Sequence, residues 1–417
     1  MVTNQEIILK NSRKVVSPIL YYFVRWVIHE AQFQNATHLF FMARDGFLLY
    51  KIACKICTDL NIPLQCKYLY CSRRSLYLPT FHLIGNDTFD YLFAPSSCYC
   101  LRSVFVKAGM DDLQVAQVLQ ELNIKANNLN QFFSDETSRT FRNLLEHCPL
   151  FLKILQDNSR HAYQEVVAYF RQEGLFDQKT IVLVDSGWSG SSQHAIRIIS
   201  RAAGYQGTVQ GLYFGLLSSL KSPDDGIAKA WYFDSTHHCV NKALFSPTLF
   251  ECILSADHGP TIGYIASSSS KAEPLLGPSP PRDILQMIAV QHEGIVSGAF
   301  SFAPTSLNCW LARQRFRWFF FCPRGRDAEI YGRFLCCDDS SSAYQIPLIT
   351  KEQITISKEW SIWKRLQYRL RLKVPPATTR PFWLFGCISL IRNPLKRNWY
   401  RINALILELY SYSSKTN

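Results

Sequence analysis

Three short polar segments, each set just after an apolar run, carry side chains suited to holding an anionic ligand. Arg44-Asp45-Gly46 follows His38-Leu39-Phe40-Phe41-Met42, Ser72-Arg73-Arg74 follows Lys67 to Cys71, and Asp185-Ser186-Gly187-Trp188-Ser189-Gly190-Ser191-Ser192 follows Thr180 to Val184. The third segment says most. Its small residues let backbone N–H groups surround an anion, and the start of a following helix favours negative charge. Asp185, just before the small residues, can accept hydrogen bonds from sugar hydroxyls. Guanidinium groups bind phosphate oxygens in bidentate fashion, so Arg44, Arg73 and Arg74 can clamp a second anion. One acid, one phosphate cradle and an arginine cluster suit a phosphorylated sugar carrying a second phosphate group. A glycine-serine turn alone is often only a turn; the weight comes from three such segments in this chain order. The stretch Leu249 to Gly259 adds Glu251, Asp257 and His258. Glu251 and His258 are candidates for a catalytic or acceptor-binding role, although a purely structural role carries the greater weight for this pair. His237-His238 reads as an exposed loop pair rather than a metal site.

The elements that must position these groups can be read from periodicity. Pro18 to Ala31 has helical spacing with proline in the first turn. Strands are expected at 38–42, 67–71, 180–184, 208–216 and 230–233, with helices over 47–60, 193–203 and 282–296. Residues from about 80 to 175 read as mostly helical, with Asp111 and Ser134 as N-caps and Gly174 closing a helix over 159–173. Strands alternating with helices imply an α/β fold whose parallel sheet is covered on both faces, with ligands beyond the carboxyl ends of its strands. The Ser/Pro-rich run Ser267 to Pro281 reads as an exposed linker. The expected division is a core over 1–265 with a helical insertion at about 80–175, a linker and smaller C-terminal subdomain over 266–350, and a basic aromatic tail over 351–417.

Bulk properties narrow the class. Of 417 residues, 47% are hydrophobic and 18% charged, which supplies a core and excludes wholesale disorder. No apolar run approaches the roughly 18 residues of a membrane span, and the N-terminus lacks the apolar core of a secretory signal. Cys54, Cys57, Cys148, Cys252 and Cys387 sit in largely apolar surroundings, and Cys54-x-x-Cys57 has no second pair at zinc spacing. Packing thiols in a reducing, cytoplasmic setting are expected. The net charge is +13, and residues 351–417 carry 13 Lys or Arg against three acids. The remainder is close to neutral, so nucleic acid is not an expected partner. Trp360 to Lys373 and Arg392 to Tyr410 interleave aromatic and aliphatic residues with cations, a pattern suited to an anionic membrane surface.

The three blocks in this order resemble the type I phosphoribosyltransferases. In that family the first loop and nearby basic residues hold the pyrophosphate of phosphoribosyl pyrophosphate, which implies that role for Arg44, Asp45, Gly46, Arg73 and Arg74. The later strand-acid-Gly/Ser/Thr loop holds the ribose hydroxyls and the 5-phosphate, which implies it for Asp185, Ser186, Gly187, Trp188, Ser189, Gly190 and Ser191. More closely, Phe41-Met-Ala-Arg-Asp-Gly-Phe-Leu-Leu49, Tyr68-Leu-Tyr-Cys-Ser-Arg-Arg-Ser-Leu76 and Val184-Asp-Ser-Gly-Trp-Ser-Gly-Ser191 resemble a bacterial subgroup encoded with surface-polysaccharide genes. Members of that subgroup are often fused to a haloacid-dehalogenase-type phosphatase. The resemblance covers about residues 15–265. It implies a phosphoribosyltransferase-like fold and transfer of 5-phosphoribosyl to a saccharide acceptor, with Asp185, Glu251 and His258 as catalytic candidates. It also implies Mg²⁺ bound through the donor pyrophosphate, a separate phosphatase, and an acceptor glycan that, if carried on lipid, brings the enzyme to the inner face of a membrane. Two departures matter. Family members usually carry two adjacent acids in the ribose loop, whereas Ser186 follows Asp185 here, and the paired acids of a phosphatase are missing. Transfer to a nucleobase or small metabolite, and a non-catalytic sugar-phosphate-binding subunit, are the alternatives.

Overall fold

Apolar runs without polar alternation demand a sheet buried on both faces, and those of this chain assemble into one. The structure, a computed structural model, describes residues 3–96, 99–266, 271–336, 345–369 and 380–413. Its main sheet contains β1 (His38–Met42), β2 (Gln65–Leu69), β3 (Thr180–Trp188), β4 (Thr208–Leu216) and β5 (Ile227–Phe233), in spatial order β2-β1-β3-β4-β5. Every pairing in it is parallel. Successive side chains enter opposite cores. Leu39, Phe41, Val182, Val184, Leu212 and Phe214 meet the helices Ser17–Phe33, Gly46–Asp59, Arg282–Ala299 and Ser306–Phe321. Phe40, Met42, Ile181 and Leu183 meet Pro149–Gln172 and Ser191–Ala202. This is an α/β architecture with a five-stranded, all-parallel central sheet flanked by helices, compatible with a Rossmann-like or phosphoribosyltransferase-like fold.

The strand order fixes where a ligand can enter. From β1 the chain moves outward to β2, then returns past β1 to β3, so connections leave β1 and β3 in opposite directions. At such a switch point a crevice opens beyond the carboxyl ends of the two strands. β1 pairs with β3 at Phe40↔Leu183 and Phe41↔Val184; beyond this, β1 turns into Arg44 while β3 runs on beside β4 as far as Trp188↔Leu216.

The connection from β2 to β3 is largely helical, as its sequence leads one to expect. Asp111 and Ser134 each accept a hydrogen bond from the backbone N–H three residues on, closing capping boxes. The long helix starts at Pro149 rather than Ser159, because Cys148 caps it and proline occupies its first turn. Two sequence expectations need correction. Part of the expected Ser/Pro linker is a strand: β7 (Ala272–Leu276) pairs antiparallel with β6 (Thr261–Ala266), while Ser267 to Ser270 lie outside the described residues. The helices of the expected C-terminal subdomain have no core of their own; Ile284, Ile288, Ile295, Phe316, Phe319 and Phe320 belong to the same cluster as β3 and β4. The tail adds a small satellite cluster around Leu384, Phe385, Ile388 and Ala404, and residues 370–373 of its first basic stretch lie outside the described residues. Among the described residues no helix is long and apolar enough to cross a membrane.

Candidate functional site

A cavity of about 260 Å³ occupies the switch point. All three polar segments line it: Arg44 and Asp45 after β1, Ser72 to Arg74 after β2, and Asp185 to Ser189 with Ser191 and Ser192 at the end of β3. Glu251 faces them from the helix Pro247–Leu254, and Pro260, Thr261 and Ile262 close one side from the start of the hairpin.

Each segment is held by identifiable local chemistry. After β1 the chain turns at once into the helix Gly46–Asp59. A Cβ on Gly46 would lie 2.8 Å from the carbonyl carbon of Phe41, so only glycine lets the helix begin this close to its strand. Asp45 at that turn accepts a hydrogen bond from Ser186 Oγ at 2.5 Å, which ties the ends of β1 and β3 together. Ser72 caps the helix Arg73–Tyr77 and donates from its Oγ to the carbonyl of Thr261 at 2.6 Å, fixing the second basic segment to the hairpin.

The third segment differs from its expected form. It reads as a loop from Asp185 onward, yet β3 continues through Trp188, and only Ser189 and Gly190 separate it from the helix Ser191–Ala202. Two facing glycines make this extension fit. Gly187 pairs with Gly215, and a Cβ on Gly187 would meet the Gly215 carbonyl oxygen at 2.0 Å, with φ at +115°. Trp188 follows at φ +86°, a region few non-glycine residues occupy. Its indole Nε1 donates to Glu251 Oε1 at 2.6 Å. The helix then starts without a side-chain cap, which leaves its first-turn N–H groups to solvent or an anion. Beneath this helix the fully buried carboxylate of Asp225 accepts from Arg197 Nε at 2.8 Å and pairs with His194 Nδ1 at 2.7 Å, so the cradle rests on a charged anchor.

The cavity concentrates acid. Burial raises the Asp45 carboxyl, against the opposing effects of the Ser186 hydrogen bond and of Arg44 and Arg73. Burial and then repulsion from Asp45 push Asp185 up to about 8. Burial and Asp45 likewise push Glu251 up to about 7, although Arg73, Trp188 and Arg44 all favour its charged form. A ligand bringing positive charge, or removing these carboxylates from one another's field, gains from all three.

His258, the other catalytic candidate, does not line the cavity. Its Nδ1 donates to the Gly259 carbonyl at 2.7 Å, which leaves Nε2 to accept from Tyr68 Oη at 2.8 Å. Burial lowers its pKa, and it packs against Phe47, Tyr68 and Tyr70 as a neutral ring. Asp257 is exposed, and His237 is engaged with Asp234 on the surface. Among the described residues no three His, Cys, Asp or Glu side chains are grouped to hold a metal ion, and the described cysteines are free thiols. The hairpin wall and the Asp225 anchor escaped sequence reasoning. Thr261 is fully buried against the cavity, and its hydroxyl has no partner among the described residues.

A scan against models of known protein families finds no match to this chain, and a search of curated proteins finds none.

Proposed function

We propose that the cavity binds phosphoribosyl pyrophosphate and that the protein transfers its 5-phosphoribosyl group to a saccharide hydroxyl during surface-polysaccharide synthesis. The observation that carries this reading is the meeting of Arg44, Arg73 and Arg74 with Asp185 and a serine-rich helix start in one cavity at the switch point. In this reading the three arginines hold the pyrophosphate, Ser189 to Ser192 and the helix N-terminus hold the 5-phosphate, and Asp185 accepts from the ribose hydroxyls. The family's second ribose-loop acid is absent, but Asp45 from the turn after β1 lies close enough to Asp185 to raise its pKa. The acid pair is thus assembled from two strands instead of one dipeptide.

Glu251 is the proposed general base. A carboxyl titrating near 7 suits proton transfer at neutral pH. The bond from C1 to the pyrophosphate oxygen breaks, the acceptor oxygen bonds to C1 from the opposite face, and the acceptor proton passes to Glu251. Mg²⁺ would be held through the donor's own pyrophosphate oxygens rather than directly by residues of the cavity, and would neutralise the departing pyrophosphate. A separate phosphatase would then remove the 5-phosphate. An acceptor carried on lipid would bring the enzyme to the cytoplasmic face of a membrane.

One observation favours a second, non-catalytic reading: the residue after Asp185 is Ser186, whose hydroxyl is committed to Asp45. Calorimetric titration of phosphoribosyl pyrophosphate with Mg²⁺ into wild type and Asp185→Ala tests the donor. Binding by wild type, weakened at least about tenfold in the variant, is expected from the loss of charge-assisted hydrogen bonds. Absence of binding by folded wild type would overturn the donor reading, and binding without turnover on any saccharide acceptor would favour the binding-subunit reading.

A further inference from the structure

The helix Pro394–Ser413 turns the wrong face outward for a protein surrounded only by water. Leu395, Trp399, Ile402, Ile406 and Tyr410 recur at spacings of three and four and so share one side of the helix. All five are exposed, Leu395 to 81% and Ile402 to 58%. The opposite side packs on the protein through Ala404 and Leu407, and there the one acid of the helix, Glu408, is buried. Glu408 meets Arg380 at 3.0 Å and accepts from Trp360 Nε1 at 3.0 Å, so its charge is neutralised inside. The exposed apolar stripe runs for roughly 22 Å along the helix. The helix Ile362–Arg369 packs beside it and exposes Ile362 and Trp363.

Charge complements this stripe. Arg392 and Lys396 are exposed at its leading end, and Glu359, another of the tail's three acids, is paired with Lys364.

We propose that this helix is a membrane-docking element that lies flat on an anionic phospholipid bilayer. The Leu395-Trp399-Ile402-Ile406-Tyr410 face enters the boundary between headgroups and acyl chains, and Arg392 and Lys396 at its leading end meet lipid phosphates. A bilayer offers an apolar layer and an anionic plane side by side along one surface, which is what a straight apolar stripe edged by cations requires. Trp399 and Tyr410 are the residue types that settle at that boundary. The proposal uses no residue of the cavity and stands apart from the donor reading.

The test is co-sedimentation of the full chain with vesicles of phosphatidylcholine alone and of phosphatidylcholine mixed with phosphatidylglycerol. Wild type is expected to pellet with the anionic vesicles, less so as salt rises, and weakly with the neutral ones. Ile402→Ser with Ile406→Ser alters exposed positions only and should leave the helical circular dichroism unchanged while weakening vesicle binding at least about tenfold. Failure of wild type to bind anionic vesicles overturns the proposal, as does unchanged binding by the double variant. A wild-type dimer in light scattering that the double variant converts to monomer also overturns it, since the stripe would then be an interface between copies of the chain.

Discussion

Asp45, Asp185 and Glu251 share one small cavity, and burial, reinforced for Asp185 and Glu251 by repulsion from Asp45, makes the site a source of instability that depends on pH. The sign follows from linkage. Raised folded-state pKa values mean that the native protein holds protons which the unfolded chain has already released, so stability falls as pH rises from the unfolded values near 4 toward the folded values of about 7 and about 8. Asp185→Asn removes one of these charges while keeping the shape. It is expected to be more stable than wild type by up to about 5 kcal/mol at pH 8 and by no more than about 1 kcal/mol at pH 4.5, read from urea midpoints at the two pH values. Equal midpoint differences at both would mean that Asp185 titrates normally. The site's charged members were legible in the sequence because polar groups at the carboxyl ends of buried strands have few structural reasons to be there. The separation of Glu251 from His258 was not legible. Both sit in one stretch of sequence, and only the fold shows that Trp188 holds the first at the cavity while Tyr68 and Gly259 occupy both nitrogens of the second.

At the scale of elements, the site depends on β3 staying paired to β4 past the point where β1 leaves. Gly187 and Gly215 permit this, since a side chain at Gly187 has no room beside the Gly215 carbonyl and its φ of +115° suits glycine alone. Gly187→Ala is therefore expected to destabilise the fold by about 3 kcal/mol or more, from steric conflict with backbone added to an unfavourable φ. Chemical denaturation measures this, and a loss below about 1 kcal/mol would mean that the strands are not paired here as described. The sequence reading ended β3 at Val184 because Asp, Ser and Gly are turn residues, and it had no means of seeing Gly215 across the sheet. Apolar runs and capping carried better: β4 has the expected bounds, and Asp111 and Ser134 cap as expected, because these signals are local. The hairpin was hidden for the opposite reason. Its return strand, Ala272–Leu276, is short, contains proline and is preceded by a serine run, and it is fixed by the distant contact of Gln172 with Ala272, while Tyr264 of the outgoing strand stacks on Tyr169.

At the scale of the whole molecule, the division into a core ending at 265 and a later subdomain meets the packing of Phe214. This residue of β4 lies against Phe250 at 4.3 Å between ring centroids and against Phe316 at 5.8 Å, and Phe316 meets Phe320 at 4.5 Å. Phe320 stacks on Phe245 at 5.0 Å, so the helix Ser306–Phe321 fills one face of the sheet instead of capping a second domain. The N-terminal helix region is tied to the same part of the chain, with Ser17 Oγ donating to the Ile295 carbonyl at 2.6 Å. Burial of one phenylalanine contributes about 1.5–3 kcal/mol, so removing Phe316, Phe319 and Phe320 together forfeits on the order of 5–9 kcal/mol before counting Ile284, Ile288 and Ile295. That is comparable to the whole stability of an ordinary domain, about 5–15 kcal/mol. A fragment of residues 1–281 is accordingly expected to lack a cooperative thermal transition and to be digested rapidly by protease, whereas the full chain unfolds with its sheet and C-terminal helices together. A cooperatively folded fragment would restore the two-part division. It would also mean that the aromatic contacts of Phe316 and Phe320 cover a core already complete without them, leaving the switch-point cavity to be supported by the first 265 residues alone.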